Sequence, residues 1–184
     1  PELRSVLADT AVNYSKKAQK MGIQTALYMT HAYLDNDPRY EPNLIEKIKL
    51  AYYDAGKQSN SDVAPVGIAY EIAYKERPNI MLHHPDGTHP GLLGTYLGSC
   101  VVFSMITNTS PEGLKYNYLG QISEGDILFL QKVAWNAYLK HKKQYIENAK
   151  LYLNKTINHF QNITYSIPDR NLINALKYDD YTVM

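Results

Sequence analysis

A short and almost continuous apolar run, IQTALYMT at residues 23–30, constrains the fold of this 184-residue chain more than any other segment. A helical pattern over residues 1–20 precedes it, and Gly22 separates the two. A run of strand length that is apolar at nearly every position fits a parallel strand buried on both faces. The order of helix, glycine and buried strand is therefore typical of an α/β sheet.

The same rhythm continues along the chain. Helical patterns over residues 44–55 and 67–75 flank a second short strand, predicted at residues 62–66. Asn43 is expected to cap the first of these helices, and Gly56 is expected to end it. We predict that the two strands are parallel neighbours in one sheet.

The polar turn HHPDGTH at residues 83–89 holds the groups best suited to chemistry. Pro90 is expected to open a helix that runs to about residue 107, because a proline N–H is not needed in the first helical turn. Asp86 and His89 lie three residues apart in the turn. A carboxylate this close to an imidazole can accept its Nδ1–H, fix the tautomer and leave Nε2 free as a base.

A further helical segment is predicted after residue 120. Ser123 is expected to cap it, with Asp126 completing an imperfect capping box, and the pattern continues with a break to about residue 160. Residues 145–184 are expected to form a polar helix and then an irregular tail.

Composition excludes several classes of protein. The net charge of +1 argues against a nucleic-acid footprint, which needs clustered excess lysine and arginine. The single cysteine, Cys100, excludes an intrachain disulfide framework and is expected to be a buried, inert thiol in the apolar helix. No run approaches the roughly 18 apolar residues of a transmembrane helix.

Several of these residues together resemble one protein family. Asp86-x-x-His89-Pro90, followed by a helix rich in small residues, is similar to the last conserved block of the SGNH (GDSL-type) hydrolases, and the likeness is strongest to Bacteroides-type members. The other segments that carry the resemblance are APVGIA at 64–69, GTYL at 94–97, SPEGL at 110–114 and LQKVAW at 130–135.

The resemblance implies a fold and an activity. The fold would be a three-layer α/β/α sandwich of flavodoxin-like SGNH type, and the reaction would be ester hydrolysis by a Ser-His-Asp triad. In that triad His89 would be the general base and acid, and Asp86 would orient it. No metal or organic cofactor would be needed. The Bacteroides-type likeness implies a small or carbohydrate ester as substrate, and a location outside the cytoplasm.

The chain also departs from the family pattern, because it contains no GDS, GNS or GxND motif. The nucleophilic serine and the further oxyanion donors are therefore expected on a missing N-terminal half. Residues 1–144 would then form the C-terminal part of the hydrolase domain, and residues 145–184 an extension. Two predicted strands, where the family has five, agree with this expectation.

Two alternatives remain open on the sequence alone. One is a metal-dependent hydrolase, because His83, His84, Asp86 and His89 are all residue types that Zn²⁺ accepts. The other is a non-catalytic module that binds carbohydrate or protein, which the 17 tyrosines favour. The loop after the first strand adds two candidate substrate contacts, His31 and Tyr33, although a solvated loop histidine is the expected role of His31.

Overall fold

The computed structural model describes the backbone of residues 2–164 and the side chains of residues 5–144, 147 and 150. The chain divides into two units, Pro1–Lys142 and Lys143–Met184, and the site described below lies within the first. The tail predicted from residue 165 onward lies outside the described residues. The described elements are α1 (Glu2–Gln19), β1 (Ala26–Tyr28), α2 (Leu44–Ser59), β2 (Asp62–Ala64), α3 (Val66–Glu76), α4 (Leu92–Thr107) and α5 (Glu124–Thr164).

The two strands pair in parallel, as predicted, with residues 26–28 in register with residues 62–64. Both strands are shorter than expected. The Met29 N–H still donates to the Ala64 carbonyl over 3.0 Å, but the Gly67 N–H already donates to the Met29 carbonyl from the start of α3. The pairing ends there because the chain after β2 turns at once into a helix.

Helices cover both faces of this two-stranded sheet, since neighbouring side chains of a strand point to opposite faces. Leu27 packs against small residues of α1 and α2, namely Ala8, Ala11 and Ala55. The Tyr28 hydroxyl lies on the other face, close against Gly98 of α4. The described chain is thus mixed α/β and rich in helix, which confirms the α/β prediction at that level.

Two predicted features of α2 are wrong. Gly56 does not end the helix, which continues to Ser59 and stops where Asn60 takes a left-handed φ of 52°. Gly56 is needed inside the helix because a Cβ there would lie 2.7 Å from Cγ2 of Val63. Asn43 occupies the N-cap position, but its side chain makes no capping hydrogen bond.

The start of α4 also differs from the prediction. Pro90 does not open the helix but forms an isolated antiparallel bridge with His83, and α4 begins two residues later at Leu92. The Gly91 N–H donates to the Leu82 carbonyl over 2.7 Å, which closes the preceding turn as a small hairpin before the helix starts.

The prediction for α5 is right at its beginning and wrong in its middle. The Asp126 N–H donates to the Ser123 hydroxyl over 3.2 Å, and that hydroxyl donates to the Asp126 carboxylate over 2.7 Å, so Ser123 caps the helix. The predicted break is absent, because the helix is continuous from Glu124 to Thr164. None of the described helices is both long and apolar enough to cross a membrane.

The main core lies between α3, α4 and α5, and the contact between α3 and α4 is unusually close. A Cβ on Gly94 would lie 2.0 Å from the Tyr70 hydroxyl and 2.2 Å from the Leu82 carbonyl oxygen. Cys100 is buried in the same core, as predicted, and burial raises the pKa of its thiol to about 11. Gly94 therefore sets the distance at which α4 lies against the segment that leads into the polar turn.

Replacement of Gly94 by alanine should reveal this constraint. Gly94→Ala is expected to lower the free energy of unfolding by about 1–3 kcal/mol, because backbone at Leu82 must move to admit the methyl group. Gly125→Ala is the matched control, since nothing lies within 4 Å of a Cβ at that position of α5. Urea unfolding of both variants measures the effect, and equal stability of the two would contradict the packing described here.

Candidate functional site

The candidate site is a short hairpin-like turn, residues 83–90, which we call the Asp–His turn. The His84 N–H donates to the His89 carbonyl over 2.7 Å, and the Gly87 N–H donates to the His84 carbonyl over 3.0 Å. Gly87 has a φ of +73°, which glycine adopts without strain. These hydrogen bonds fix the backbone conformation of the turn, and with it the positions from which its side chains extend.

Asp86 and His89 form the hydrogen bond that their spacing predicts. Asp86 Oδ2 lies 2.8 Å from His89 Nδ1, while Oδ1 accepts the backbone N–H groups of Thr88 at 2.9 Å and His89 at 3.0 Å. The bonds from the backbone and side chain of His89, together with the Thr88 N–H, hold the pKa of Asp86 well below its usual range. Asp86 is therefore a carboxylate at any pH where the protein would work.

The His89 ring stands on the surface. Its side chain is 75% exposed, whereas that of Asp86 is 39% exposed. A carboxylate acceptor at Nδ1 favours the tautomer with the proton on Nδ1, which leaves the Nε2 lone pair as the basic site. The geometry required of a general base is present, and the catalytic role of His89 stays a prediction.

Two buried histidines join the turn to the loop after β1. His31 Nε2 lies 2.9 Å from the Thr88 carbonyl oxygen, and His83 Nε2 lies 2.9 Å from the Ala32 carbonyl oxygen. Carbonyl oxygens only accept, so both rings carry their proton on Nε2. The Nδ1 atom of His83 then accepts the hydroxyl of Tyr74 over 2.6 Å.

The prediction of a solvated His31 is wrong, because this residue is buried. Its ring stacks on Tyr70 at 4.4 Å and meets the edge of His83 at 4.6 Å. Burial lowers the pKa of both His31 and His83. The Nδ1 atom of His31 and the Tyr70 hydroxyl are buried and have no hydrogen-bond partner among the described residues.

An ionic clamp holds the outer side of the turn. Asp37 is buried and accepts the Arg39 guanidinium at Nε over 3.0 Å and at Nη2 over 2.8 Å. Thr88 donates its hydroxyl to the same carboxylate, and Arg39 Nη2 donates to Thr88 Oγ1 over 3.1 Å. The guanidinium also lies 4.1 Å above the ring of Tyr33, so Arg39 covers one face of this predicted substrate contact.

Backbone contacts complete the junction between the two segments. The Leu34 N–H donates to the Gly87 carbonyl over 3.0 Å, and Asn36 Nδ2 donates to the Pro85 carbonyl over 2.9 Å. A Cβ on Gly87 would lie 2.1 Å from Asn36 Oδ1. The loop that follows β1 and the Asp–His turn thus contact each other at several points.

The metal-ligand hypothesis does not fit this arrangement. Both ring nitrogens of His83 are engaged inside the protein, so His83 cannot join His84, Asp86 and His89 around an ion. Within the part of the chain that the structure describes, no group of three or more histidine, cysteine or acidic residues is placed to hold a metal.

Asp37, Arg39 and Tyr74 belong to the site but were not predicted from the sequence. The spacing of Asp37 and Arg39 carries a weak signal, because an aspartate often accepts the N–H of the residue two positions on, and this bond is present at 2.7 Å. No comparable signal exists for Tyr74, whose partner His83 is brought to it only by the tertiary fold.

Comparison with known proteins gives a fold relationship and no family. No family model matches the chain, and no curated protein matches it. The crystal structure of a DUF4886 family protein from Bacteroides uniformis is similar, with a TM-score of 0.57 and 20% sequence identity. The match covers 64% of this chain and 48% of that one, so this chain spans about half the length of its structural neighbour. The likeness shows a shared fold.

The buried histidines should make stability depend on pH. Their pKa values are lowered in the folded state, so below about pH 6.5 the unfolded chain binds protons that the fold excludes. The free energy of unfolding should therefore fall as the pH is lowered from about 7 to 5. His31→Gln removes one such group and should reduce that fall. Thermal unfolding across this range measures it, and an unchanged pH dependence in the variant would refute the buried, neutral state of His31.

Proposed function

We propose that this chain supplies the general base and its orienting carboxylate, His89 and Asp86, to an ester hydrolase of the SGNH type. The observation that carries the proposal is the 2.8 Å hydrogen bond between Asp86 Oδ2 and His89 Nδ1, on a ring that is largely exposed. His83, by contrast, has both ring nitrogens hydrogen-bonded inside the protein.

In the proposed reaction His89 Nε2 takes the proton of a serine hydroxyl as its oxygen attacks the ester carbonyl. The imidazolium then gives that proton to the leaving alcohol, and a water molecule repeats the cycle to release the acid. Asp86 stays ionised throughout and stabilises the imidazolium. The low pKa of Asp86 supports this role, since the carboxylate must not compete for the proton.

The serine would come from the rest of a three-layer α/β/α domain that extends beyond these residues. Helices on both faces of a parallel strand pair support this fold, as does a structural neighbour of about twice the matched length. Tyr28 is 48% exposed and Ile23 is 50% exposed, although both belong to an apolar segment that a complete sheet would bury. The missing part would carry the nucleophile and the oxyanion donors.

The proposed substrates are small esters or acylated carbohydrates, encountered outside the cytoplasm. This part of the proposal rests on the sequence resemblance to Bacteroides-type SGNH hydrolases. A panel of acetylated sugars and short aryl esters, tested on the full-length protein that contains this chain, decides between the classes. Failure to hydrolyse any of them would favour the non-catalytic binding module.

Substitution of the two residues tests the mechanism directly. In the full-length protein His89→Ala is expected to lower kcat by about 10³-fold or more, because the variant lacks the base proposed to take the serine proton. Asp86→Asn should lower it by a comparable or smaller factor, because the amide does not fix the required tautomer. Initial rates with an aryl ester measure both effects.

His141→Gln is the matched control. His141 stacks on Tyr53 of α2 at 5.4 Å, away from the Asp–His turn, so its replacement should leave kcat within about twofold. Retention of full activity by a folded His89→Ala variant would rule out the proposed base.

A further inference from the structure

The ionic clamp places an exposed guanidinium beside the Asp–His turn. The side chain of Asp37 is 3% exposed, whereas that of Arg39 is 57% exposed, so a buried carboxylate fixes the position of a cation at the surface. The ring of Tyr33, 4.1 Å from the guanidinium carbon, restricts the same group from one side. Arg39 has therefore already lost most of the rotamer freedom that an ordinary surface arginine must give up when it binds a ligand.

An arginine has five N–H donors, and Arg39 uses three of them within the protein. Nε and Nη2 donate to Asp37 over 3.0 and 2.8 Å, and Nη2 also donates to Thr88 Oγ1 over 3.1 Å. Nη1, with its two donors, makes no hydrogen bond to any residue that the structure describes. Because Thr88 directly precedes His89 in the chain, these two donors lie next to the residue that carries the proposed base.

The charge around Arg39 is nevertheless negative. Residues 31–40 and 83–90 contain three aspartates, Asp35, Asp37 and Asp86, and Arg39 is their single lysine or arginine. Asp37 balances Arg39, which leaves the other two carboxylates to repel an anionic ligand. An N–H donor among carboxylate acceptors is suited to a hydroxyl group, which is uncharged and both accepts and donates a hydrogen bond.

We propose that Arg39 is a specificity-determining residue, which donates from Nη1 to a hydroxyl group of an uncharged sugar ester, and that the neighbouring carboxylates disfavour acidic sugars. The inference rests on the proposed function, because a hydroxyl group held beside His89 would belong to the substrate whose ester the base attacks. It narrows the proposed substrates from small or carbohydrate esters in general to those that are hydroxylated and carry no charge.

Binding of two matched sugars to the full-length protein tests the proposal without requiring hydrolysis. Methyl β-glucopyranoside is uncharged, and methyl β-glucopyranosiduronate carries a carboxylate in place of its primary alcohol. NMR titrations that follow the Thr88 amide and the His89 Cε1–H resonances give the Kd of each sugar. The wild type is expected to bind the glucoside about threefold more tightly than the glucuronide, because like charges at the surface repel each other weakly through water.

Two changes at the clamp should weaken binding of the glucoside. Arg39→Lys keeps the positive charge beside Asp37 but has a single nitrogen, so its Kd should rise by about fivefold, as expected for the loss of one hydrogen bond. For hydrolysis of an acetylated methyl glucoside, most of the effect should fall on KM rather than on kcat. The double variant Asp37→Asn with Arg39→Gln removes both charges together, so it leaves no buried carboxylate unpaired and should bind the glucoside as weakly.

Arg77→Lys is the matched control. Arg77 also pairs with an aspartate, Asp126, over 3.2 Å, lies 3.8 Å from the ring of an aromatic residue, Phe129, and is 45% exposed. It follows the last residue of α3, whereas the first turn of α3 binds the Met29 carbonyl just after β1, so the length of the helix separates Arg77 from the loop that follows that strand. This variant should bind both sugars with a Kd within about twofold of the wild type.

The result for Arg39 is separate from the result for the enzyme. Selective binding of the glucoside that is weakened in both Arg39 variants and kept in Arg77→Lys supports the proposal. Equal or tighter binding of the glucuronide, an unchanged glucoside Kd in both Arg39 variants, or no binding of either sugar by the wild type overturns it. Selective, Arg39-dependent binding in a protein that hydrolyses no ester would count against the proposed function alone.

Discussion

Two hydrogen bonds from buried imidazoles to backbone carbonyls hold the candidate site together. His31, in the loop after β1, donates to the carbonyl of Thr88 in the Asp–His turn. His83, in the turn, donates to the carbonyl of Ala32 in the loop, so each segment provides a histidine that binds the other. Both bonds require a proton on Nε2, and burial, which lowers the pKa of both rings, favours the neutral form that carries it there. The loop after β1 and the Asp–His turn are therefore joined by one imidazole hydrogen bond in each direction.

The geometry of the exposed Asp86 and His89 side chains depends on these buried contacts. His31, Asp37 and Arg39 all contact Thr88 and fix its position. The Thr88 N–H therefore donates to Oδ1 of Asp86, which also accepts the His89 N–H. The other oxygen is left for imidazoles at the surface. Histidine thus has two separate uses at this site: buried rings that support the turn, and exposed rings at its surface.

The sequence predicted the parts of this arrangement that depend on local spacing. The apolar runs gave the parallel strand pair, and the separation of Asp86 and His89 gave their hydrogen bond, because three residues across a tight turn leave little choice of geometry. The burial of His31 was not predictable, since the sequence of a polar loop does not indicate which of its side chains are buried. The position of Gly56 inside α2 was not predictable for a similar reason, because it depends on a contact with Val63, a residue of another element.

The proposed function requires a serine outside these residues that reaches His89 Nε2. The most direct measurement is a crystal structure of the full-length protein after reaction with an aryl fluorophosphonate, with the modified residue identified by mass spectrometry. We expect one labelled serine whose Oγ lies within about 3.2 Å of His89 Nε2, or slightly farther in the adduct. A protein that takes up no label, or a labelled serine far from His89, would contradict it.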